Sequence, residues 1–272
     1  MKISCIIPTY NRNKLLIDAI NSVLEQTVLP DEIIIVNNGK ETSKLPEEIC
    51  KKVLIYNIIY MAGASQARNF GASVARGEYL AFLDDDDIWN KKYIESVLEP
   101  IKEGAKCILS RIDIFVDGKL KFSKNPHGNL TLDKLLIKNP GTGGPNIVIE
   151  RNLFLEIGGY DVKLITSEDK SLIIELIKKG IHITTLPENQ VIARQDPKVS
   201  RLSDPNTIAQ GIYQFTNKYK NLMNKRQLLA NFLKIYKYRY KSGKKMAIFP
   251  FIFLYISNRF LQIIFRNKLD RV

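Results

Sequence analysis

Tyr79-Leu80-Ala81-Phe82-Leu83-Asp84-Asp85-Asp86-Asp87 is the stretch that decides how the first half of this chain folds. Residues 79–83 form an apolar run of strand length, and such runs mark a strand buried on both faces. Working upstream, residues 65–75 carry a helical pattern and residues 53–59 a strand pattern. Residues 32–37 and 2–9 are apolar and β-branched, and Leu15, Leu16, Ala19, Ile20, Val23 and Leu24 between them keep helical spacing. Strands alternating with helices predict a parallel α/β sheet. Downstream, residues 91–101 read as a helix, and residues 106–115 with 119–123 as a hairpin over Val116-Asp117-Gly118. The second half is mixed. A Gly/Pro-rich loop spans 139–145, a short strand 146–150, a helix 169–179, and two short strands 182–185 and 190–194. No internal repeat or low-complexity tract interrupts this order.

The four carboxylates after Leu83 fall at the C-terminal end of a strand, where open α/β sheets form their ligand crevice. If strand geometry continues, Asp84 and Asp86 share one face and Asp85 and Asp87 the other. Adjacent carboxylates repel, and a hard divalent cation with oxygen ligands relieves that repulsion. Mg²⁺ typically takes only one or two protein carboxylates together with substrate phosphates. The run also reads as a solvated acidic turn, with Asp87 or Asn90 capping the helix that opens at Lys91.

Composition narrows the class. The chain has 272 residues and 45% hydrophobic content, enough to bury a sizeable core. Three cysteines, Cys5, Cys50 and Cys107, lie far apart, which argues against a disulfide framework or a cysteine zinc site and suits a reducing compartment. His127 and His182 are the only histidines and have no zinc spacing; His182, within a strand pattern, reads as structural. The opening stretch has one short apolar run broken by Pro8, so it reads as a first strand rather than a secretory signal. Net charge is +13, and its location is informative. Residues 206–272 hold 14 Lys/Arg against the single Asp270, whereas residues 1–205 hold 27 charges of each sign. A neutral domain is followed by a basic tail.

Several blocks now fall in a meaningful order: Cys5-Ile6-Ile7-Pro8-Thr9-Tyr10-Asn11-Arg12, Ser22-Val23-Leu24-Glu25-Gln26-Thr27, and Ile33-Ile34-Ile35-Val36-Asn37-Asn38-Gly39. Gly63-Ala64-Ser65-Gln66-Ala67-Arg68-Asn69, Gly77 through Asp87, Gly158-Gly159-Tyr160-Asp161 and Glu168-Asp169 follow. Over roughly residues 2–200 the chain resembles the family 2 glycosyltransferases of the GT-A fold, the inverting nucleotide-sugar transferases. The resemblance implies an α/β, Rossmann-like, mixed and mostly parallel sheet flanked by helices. It implies a nucleotide-binding part at about 1–105 and an acceptor part at about 106–203.

The resemblance also implies roles. Pro8, Thr9 and Tyr10 would cradle base and ribose, and Asn38 stands where the family usually has an Asp that accepts the uracil N3–H. Arg68 would approach the nucleotide. Asp84, Asp85 and Asp86 correspond to the Asp-X-Asp motif, with Asp85 near the ribose and Asp86 the principal ligand of Mn²⁺ or Mg²⁺. Asp169 matches the catalytic base; without the resemblance, Glu168-Asp169 is only an acidic helix start favoured by the helix dipole. Two departures stand out. Asn37-Asn38 replaces an acidic pair, and a carboxamide oxygen still accepts from an imide, so UDP comes first, with dTDP and GDP behind it. Many relatives carry a His after an Arg beyond the last strand; here Ala193-Arg194-Gln195-Asp196 puts Asp196 at or near that place as a second metal ligand. Arg194, Lys198 or Arg201 would offset its repulsion of phosphate. Gly141-Thr142-Gly143-Gly144 is expected in an acceptor-site loop, and Trp89 reads either as a stacking platform or as a core aromatic.

Residues 204–272 read as a basic, amphipathic, helical tail. Spanning a bilayer takes about 20 apolar residues, but the run 246–256 contains Pro250 and meets Ser257-Asn258-Arg259 before resuming at 260–265. A segment lying on anionic lipid fits better. An ordinary helical appendage with a solvated basic face is the plain alternative. The aliphatic and Phe content exceeds what phosphate binding needs, so no nucleic acid is expected as a partner. The expected partners are a nucleotide-diphospho-sugar donor, a lipid-linked saccharide acceptor and an anionic membrane surface, with the chain peripheral on the cytoplasmic face of the cell membrane. The rival readings are a non-catalytic nucleotide-binding membrane adaptor and a nucleotidyltransferase. The latter usually opens with a Gly-rich phosphate loop, which this N-terminus lacks.

Overall fold

A computed structural model describes residues 1–39, 45–58, 63–121, 130–195 and 204–244. The chain divides into two units. The first comprises Met1–Leu135, Asn139–Val162 and Glu168–Pro197; the second comprises Leu136–Lys138, Lys163–Ser167 and Lys198–Val272.

In the first unit the elements begin β1 (Ile3–Thr9), α1 (Asn13–Leu24), β2 (Glu32–Asn37), α2 (Glu47–Cys50), β3 (Leu54–Asn57), α3 (Ala64–Val74) and β4 (Tyr79–Phe82). β3, β2, β1 and β4 are parallel neighbours, as crossover helices between successive strands require. β1 and β2 are fully or almost fully buried, which is why their sequence is a continuous apolar run rather than an alternation. α3 lies close against them at Gly71: a Cβ there would sit 2.5 Å from Ile6 Cγ2 and 3.2 Å from Val36 Cγ2.

Beyond β4 come β5 (Asp87–Trp89), α4 (Tyr93–Lys102), β6 (Cys107–Val116), β7 (Lys119–Lys121), α5 (Leu132–Ile137), β8 (Ile147–Glu150), α6 (Arg151–Glu156), α7 (Glu168–Lys178) and β9 (Thr184–Gln195). β8 runs antiparallel between β4 and β6, β9 parallel to β6, and β5 antiparallel to β9. The result is the expected mixed, mostly parallel sheet flanked by helices. Phe82, Phe154 and Tyr160 pack ring to ring at 5.3–5.5 Å where β4, α6 and the following loop meet.

Two expectations change here. The strands expected at 182–185 and 190–194 are one strand, β9, paired with β6 through two register shifts. The register steps from Leu186 to Asn189, so Pro187 and Glu188 form the bulge; a proline without an N–H belongs at such an interruption. His182 is exposed just ahead of β9, not a satisfied core residue.

In the second unit, α8 (Pro205–Tyr219) and α9 (Lys225–Lys241) carry explicit start signals. Asp204 accepts from Asn206 N at 2.9 Å and Thr207 N at 3.1 Å, with Pro205 opening the helix. Asn224 and Gln227 form a capping box for α9. Phe215, Tyr219, Leu233 and Ile235 are buried, and Asn231 donates to the Leu136 carbonyl at 2.9 Å. No helix among the described residues is long and apolar enough to cross a membrane. The apolar run at 246–256 lies outside the described residues.

Candidate functional site

β4 ends at Phe82, and the four acids do not continue it. A backbone bond from Asp87 N to Asp84 O, 3.1 Å, closes a turn, so the expected two-faced alternation fails. The turn instead gathers Asp84, Asp86 and Asp87, each offering a carboxylate oxygen within 4.8 Å of the others. Asp87 is committed to the fold: it is buried, starts β5, and accepts from Arg194 N of β9 at 3.1 Å. α4 begins at Tyr93 and its N-cap position is Lys92, without a side-chain cap bond, so neither Asp87 nor Asn90 occupies the cap position.

Asp85 points the other way, into the β1 end. It accepts from Thr9 Oγ1 at 2.8 Å, and its other oxygen lies 3.2 Å from Arg12 Nη1. Burial pushes its carboxyl up to about 6, against the opposing pull of the Thr9 hydroxyl and Arg12. The same Arg12 nitrogen lies 3.2 Å from Asp86 Oδ2, while Arg194 Nε donates to the Asp86 carbonyl at 2.8 Å.

Arg68, on the inner face of α3, is almost fully buried. It pairs with Asp84 and with Glu168 Oε1, the latter at 3.2 Å. Its guanidinium lies 5.2 Å from the Tyr160 ring, and Asn69 holds Tyr160 by two 2.8 Å bonds to its backbone. Gly144 makes this possible, because a Cβ there would stand 2.5 Å from Arg68 Nη2 and 2.9 Å from Asp84 Oδ1. Burial and then neighbouring Asp169 push Glu168 up to about 7, with Arg68 opposing.

Asp169 occupies the first turn of α7 and is buried. Oδ1 accepts from Lys170 N at 2.7 Å; Oδ2 accepts from Thr142 Oγ1 and Asn139 Nδ2, each at 3.2 Å. Burial raises its proton affinity, and the Lys170 N–H, the Lys170 charge and Thr142 hold it back. Asn139 also accepts from Gly141 N and Thr142 N, so one side chain shapes the loop and presents it to Asp169. Trp89 anchors the far end of that loop through a 2.9 Å bond to the Pro145 carbonyl. It is stacked on Tyr93 with 3% exposure, which makes it a core aromatic and not a free platform.

Pro8 and Thr9 close β1 beside Val36 and Asn37, and Tyr10 beyond them is 54% exposed. Asn37 is structural: its amide donates to Asn57 Oδ1 and its oxygen accepts Gly39 N, both at 2.9 Å. Asn38 hangs on Thr9 O through its backbone N–H at 3.1 Å, and its carboxamide has no partner among the described residues. Thr9, Asp85, Arg12 and Asp86 are thus joined by one set of contacts, and Arg68 joins Asp84 to Glu168, the residue before Asp169. Asp196 lies outside the described residues, as does His127. Sequence reasoning missed Arg12, Asn139 and Thr142 as parts of this network. Arg12 ends the first motif block, and Thr142 sits within the Gly-rich loop, but neither announces its partner.

The fold has counterparts in known proteins. An uncharacterized glycosyltransferase of Haemophilus influenzae is 29% identical over 189 residues, 65% of this chain and 62% of the relative. The chain therefore matches less than two thirds of that relative's length. The Escherichia coli UDP-Glc:alpha-D-GlcNAc-diphosphoundecaprenol beta-1,3-glucosyltransferase WfgD is 24% identical over 265 residues, 89% of this chain and 98% of the relative. The crystal structure of S. aureus TarS 1–349 in complex with UDP-GlcNAc superposes with a TM-score of 0.64 at 18% identity, covering 88% of this chain and 71% of that one. Such a likeness establishes a shared fold, the GT-A fold expected above. The family model for glycosyl transferase family 2 matches residues 4–158, a span that includes Arg68, the whole acidic turn and all of β1 but Ile3. With more than half of its length inside that match, the chain belongs to glycosyl transferase family 2.

Proposed function

We propose that this chain is an inverting, metal-dependent glycosyltransferase that moves a sugar from a nucleotide diphosphate, UDP first, onto a lipid-linked saccharide in bacterial surface polysaccharide assembly. One observation carries the reading: carboxylates clustered at a strand end are tied through Arg68 to Glu168 on α7, immediately before the buried, separately held carboxylate of Asp169. The donor set fits a hard cation, since Asp84 and Asp86 present carboxylate oxygens and retain some solvent access. In this reading Asp86 is the principal ligand of Mn²⁺ or Mg²⁺ with Asp84 beside it, and Asp196 is a further ligand from beyond β9. Such a cation, when bound, stabilises charge on the departing diphosphate.

The chain's own groups do the rest. Pro8, Thr9, Tyr10 and Asn38 line the base and ribose end, with the Asn38 carboxamide oxygen accepting from the imide. Asp85, held by Thr9, faces the ribose, and Arg68 fixes Asp84. Asp169 accepts the acceptor hydroxyl's proton as that oxygen attacks the anomeric carbon and the bond to the diphosphate breaks, inverting the centre. Burial suits Asp169 to that task by raising its proton affinity. WfgD's name describes transfer from UDP-Glc to a diphosphoundecaprenol-linked sugar, which supports a UDP donor and a lipid-linked acceptor for this relative. Residues 1–203 form the catalytic part in this reading. The basic tail 204–272 rests on anionic lipid at the cytoplasmic face.

Nucleotide release from a panel of sugar nucleotides, with Mn²⁺, Mg²⁺ or EDTA and membrane extract as acceptor, tests the proposal. Metal-dependent release from one donor, lost in Asp86→Ala and Asp169→Ala, is the expected result. Nucleotide binding with no turnover across donors and extracts would favour the adaptor reading, which the neutral Asn37-Asn38 pair supports.

A further inference from the structure

Among the described residues three arginines contact the acidic turn, and their situations differ. Arg68 is buried between Asp84 and Glu168, with 4% of its side chain exposed. Arg194 is pinned by three contacts: Nε to the Asp86 carbonyl at 2.8 Å, Nη1 to Asp18 at 2.7 Å and Nη2 to the Leu15 carbonyl at 3.2 Å. Arg12 is the one that touches the carboxylates of both Asp85 and Asp86, each at 3.2 Å from Nη1, with 28% of its side chain exposed. Its backbone is fixed. Asn11 before it is held in the left-handed region at φ 54°, and Arg12 O accepts the first turn of α1 from Leu16 N at 3.0 Å. Movement of the guanidinium is then a matter of side-chain torsions alone, with strand and helix in place.

A guanidinium is a permanent cation that binds carboxylate and phosphate with similar geometry. Here it already neutralises the carboxylate that the proposed function gives to a metal. A divalent ion approaching Asp86 must displace it or share the oxygens with it, and two cations on one carboxylate repel. We propose that Arg12 is a resident counter-ion of the acidic turn, holding Asp86 while the donor site is empty and transferring to the donor's diphosphate when a divalent cation takes Asp86. The inference rests on the donor-site reading above and deepens it. It makes metal and nucleotide binding cooperative. Metal alone must expel Arg12 into water, whereas a diphosphate offers the guanidinium a new anion at the same place. Reciprocity requires each ligand to strengthen the other by the same factor.

The test is Mn²⁺ binding to the full chain, with and without UDP, for wild type, Arg12→Ala and Arg12→Gln. Free Mn²⁺ is read by electron paramagnetic resonance. A second signal is quenching of Trp89, the chain's single tryptophan, which follows Asp86 by three residues. In wild type, UDP should tighten Mn²⁺ binding about tenfold, within the usual range for coupled sites. In both variants Mn²⁺ alone should bind about tenfold more tightly than in wild type, and the tightening by UDP should shrink to what the diphosphate contributes as a metal ligand. Arg12→Gln keeps the first part of the stem and a neutral donor group, so it covers the case in which Arg12→Ala fails to fold. Variants that bind Mn²⁺ alone no more tightly than wild type, while still binding UDP with Mn²⁺, would overturn the counter-ion role and leave the donor site standing. Wild type that binds neither Mn²⁺ nor UDP would overturn the donor-site reading itself.

Discussion

Replacing Arg68 by Met removes a buried cation from between two carboxylates while keeping an unbranched chain against Tyr160. Removing one partner of a fully buried ion pair costs about 3–5 kcal/mol, because the other charge is stranded. The Asp84 and Glu168 side chains are 27% and 18% exposed. Solvent therefore takes up part of that penalty, leaving a loss of about 2–3 kcal/mol. For a chain of this size the midpoint of thermal unfolding should fall by about 8 °C. The loss should also depend on pH. Glu168, pushed up to about 7 by burial and Asp169, has a folded pKa above its unfolded value. It therefore contributes stability that is complete below its unfolded value, near 4.5, and is lost as pH rises through about 7. Arg68 opposes that rise, so without it the folded pKa climbs further and the loss at high pH deepens. Urea unfolding followed by circular dichroism should give a larger deficit at pH 8.5 than at pH 5.5, partly recovered by adding Glu168→Gln. A deficit equal at both pH values would show that Arg68 acts by packing and would refute the electrostatic argument.

Thr142→Val keeps the volume and deletes a hydrogen bond to the charged form of Asp169. The Asp169 pKa then moves up, so the acid limb of a pH profile of nucleotide release should shift to higher pH. The expected outcome is a loss that grows toward low pH and fades toward high pH; an unshifted limb would remove Asp169 as the titrating base. Gly71→Ala sets two effects against each other. Helix propensity gains about 1 kcal/mol, while a Cβ 2.5 Å from Ile6 Cγ2 overpacks the α3–β1 contact by about 1–3 kcal/mol. A net loss of about 1 kcal/mol in urea unfolding is expected, and a stabilised variant would mean that α3 shifts freely on the sheet.

The parallel half of the sheet was legible because β1, β2 and β4 are covered on both faces and spell that out as unbroken apolar runs. The hairpin over Val116-Asp117-Gly118 was legible from its turn residues, and Asp117 and Gly118 do take positive φ. The short strand β5 was hidden at the end of the acidic run, where Asp87 opens it. Its partner is β9, and the contact that fixes Asp87, Arg194 N to Oδ1, spans 107 residues. Periodicity within a window carries no trace of such a partner. β9 itself was read as two pieces because Pro187 and Glu188 break its pattern, although the ladder with β6 bridges them.

By itself the sequence determined the α/β class, the place of the acidic run at a strand's C-terminal end, and the gathering of net positive charge in residues 206–272. These are local properties: burial on both faces dictates composition, and charge can be counted along the chain. Only the tertiary structure decided which carboxylates face one another, that Asp85 turns toward Thr9 while Asp84, Asp86 and Asp87 converge, and that Thr142 and Asn139 hold Asp169. Arg12 meets Asp85 across 73 positions, and Arg68 meets Glu168 across 100. A charge and its counter-charge leave no shared mark on a linear sequence, because the distance that couples them is set by sheet order and not by spacing along the chain.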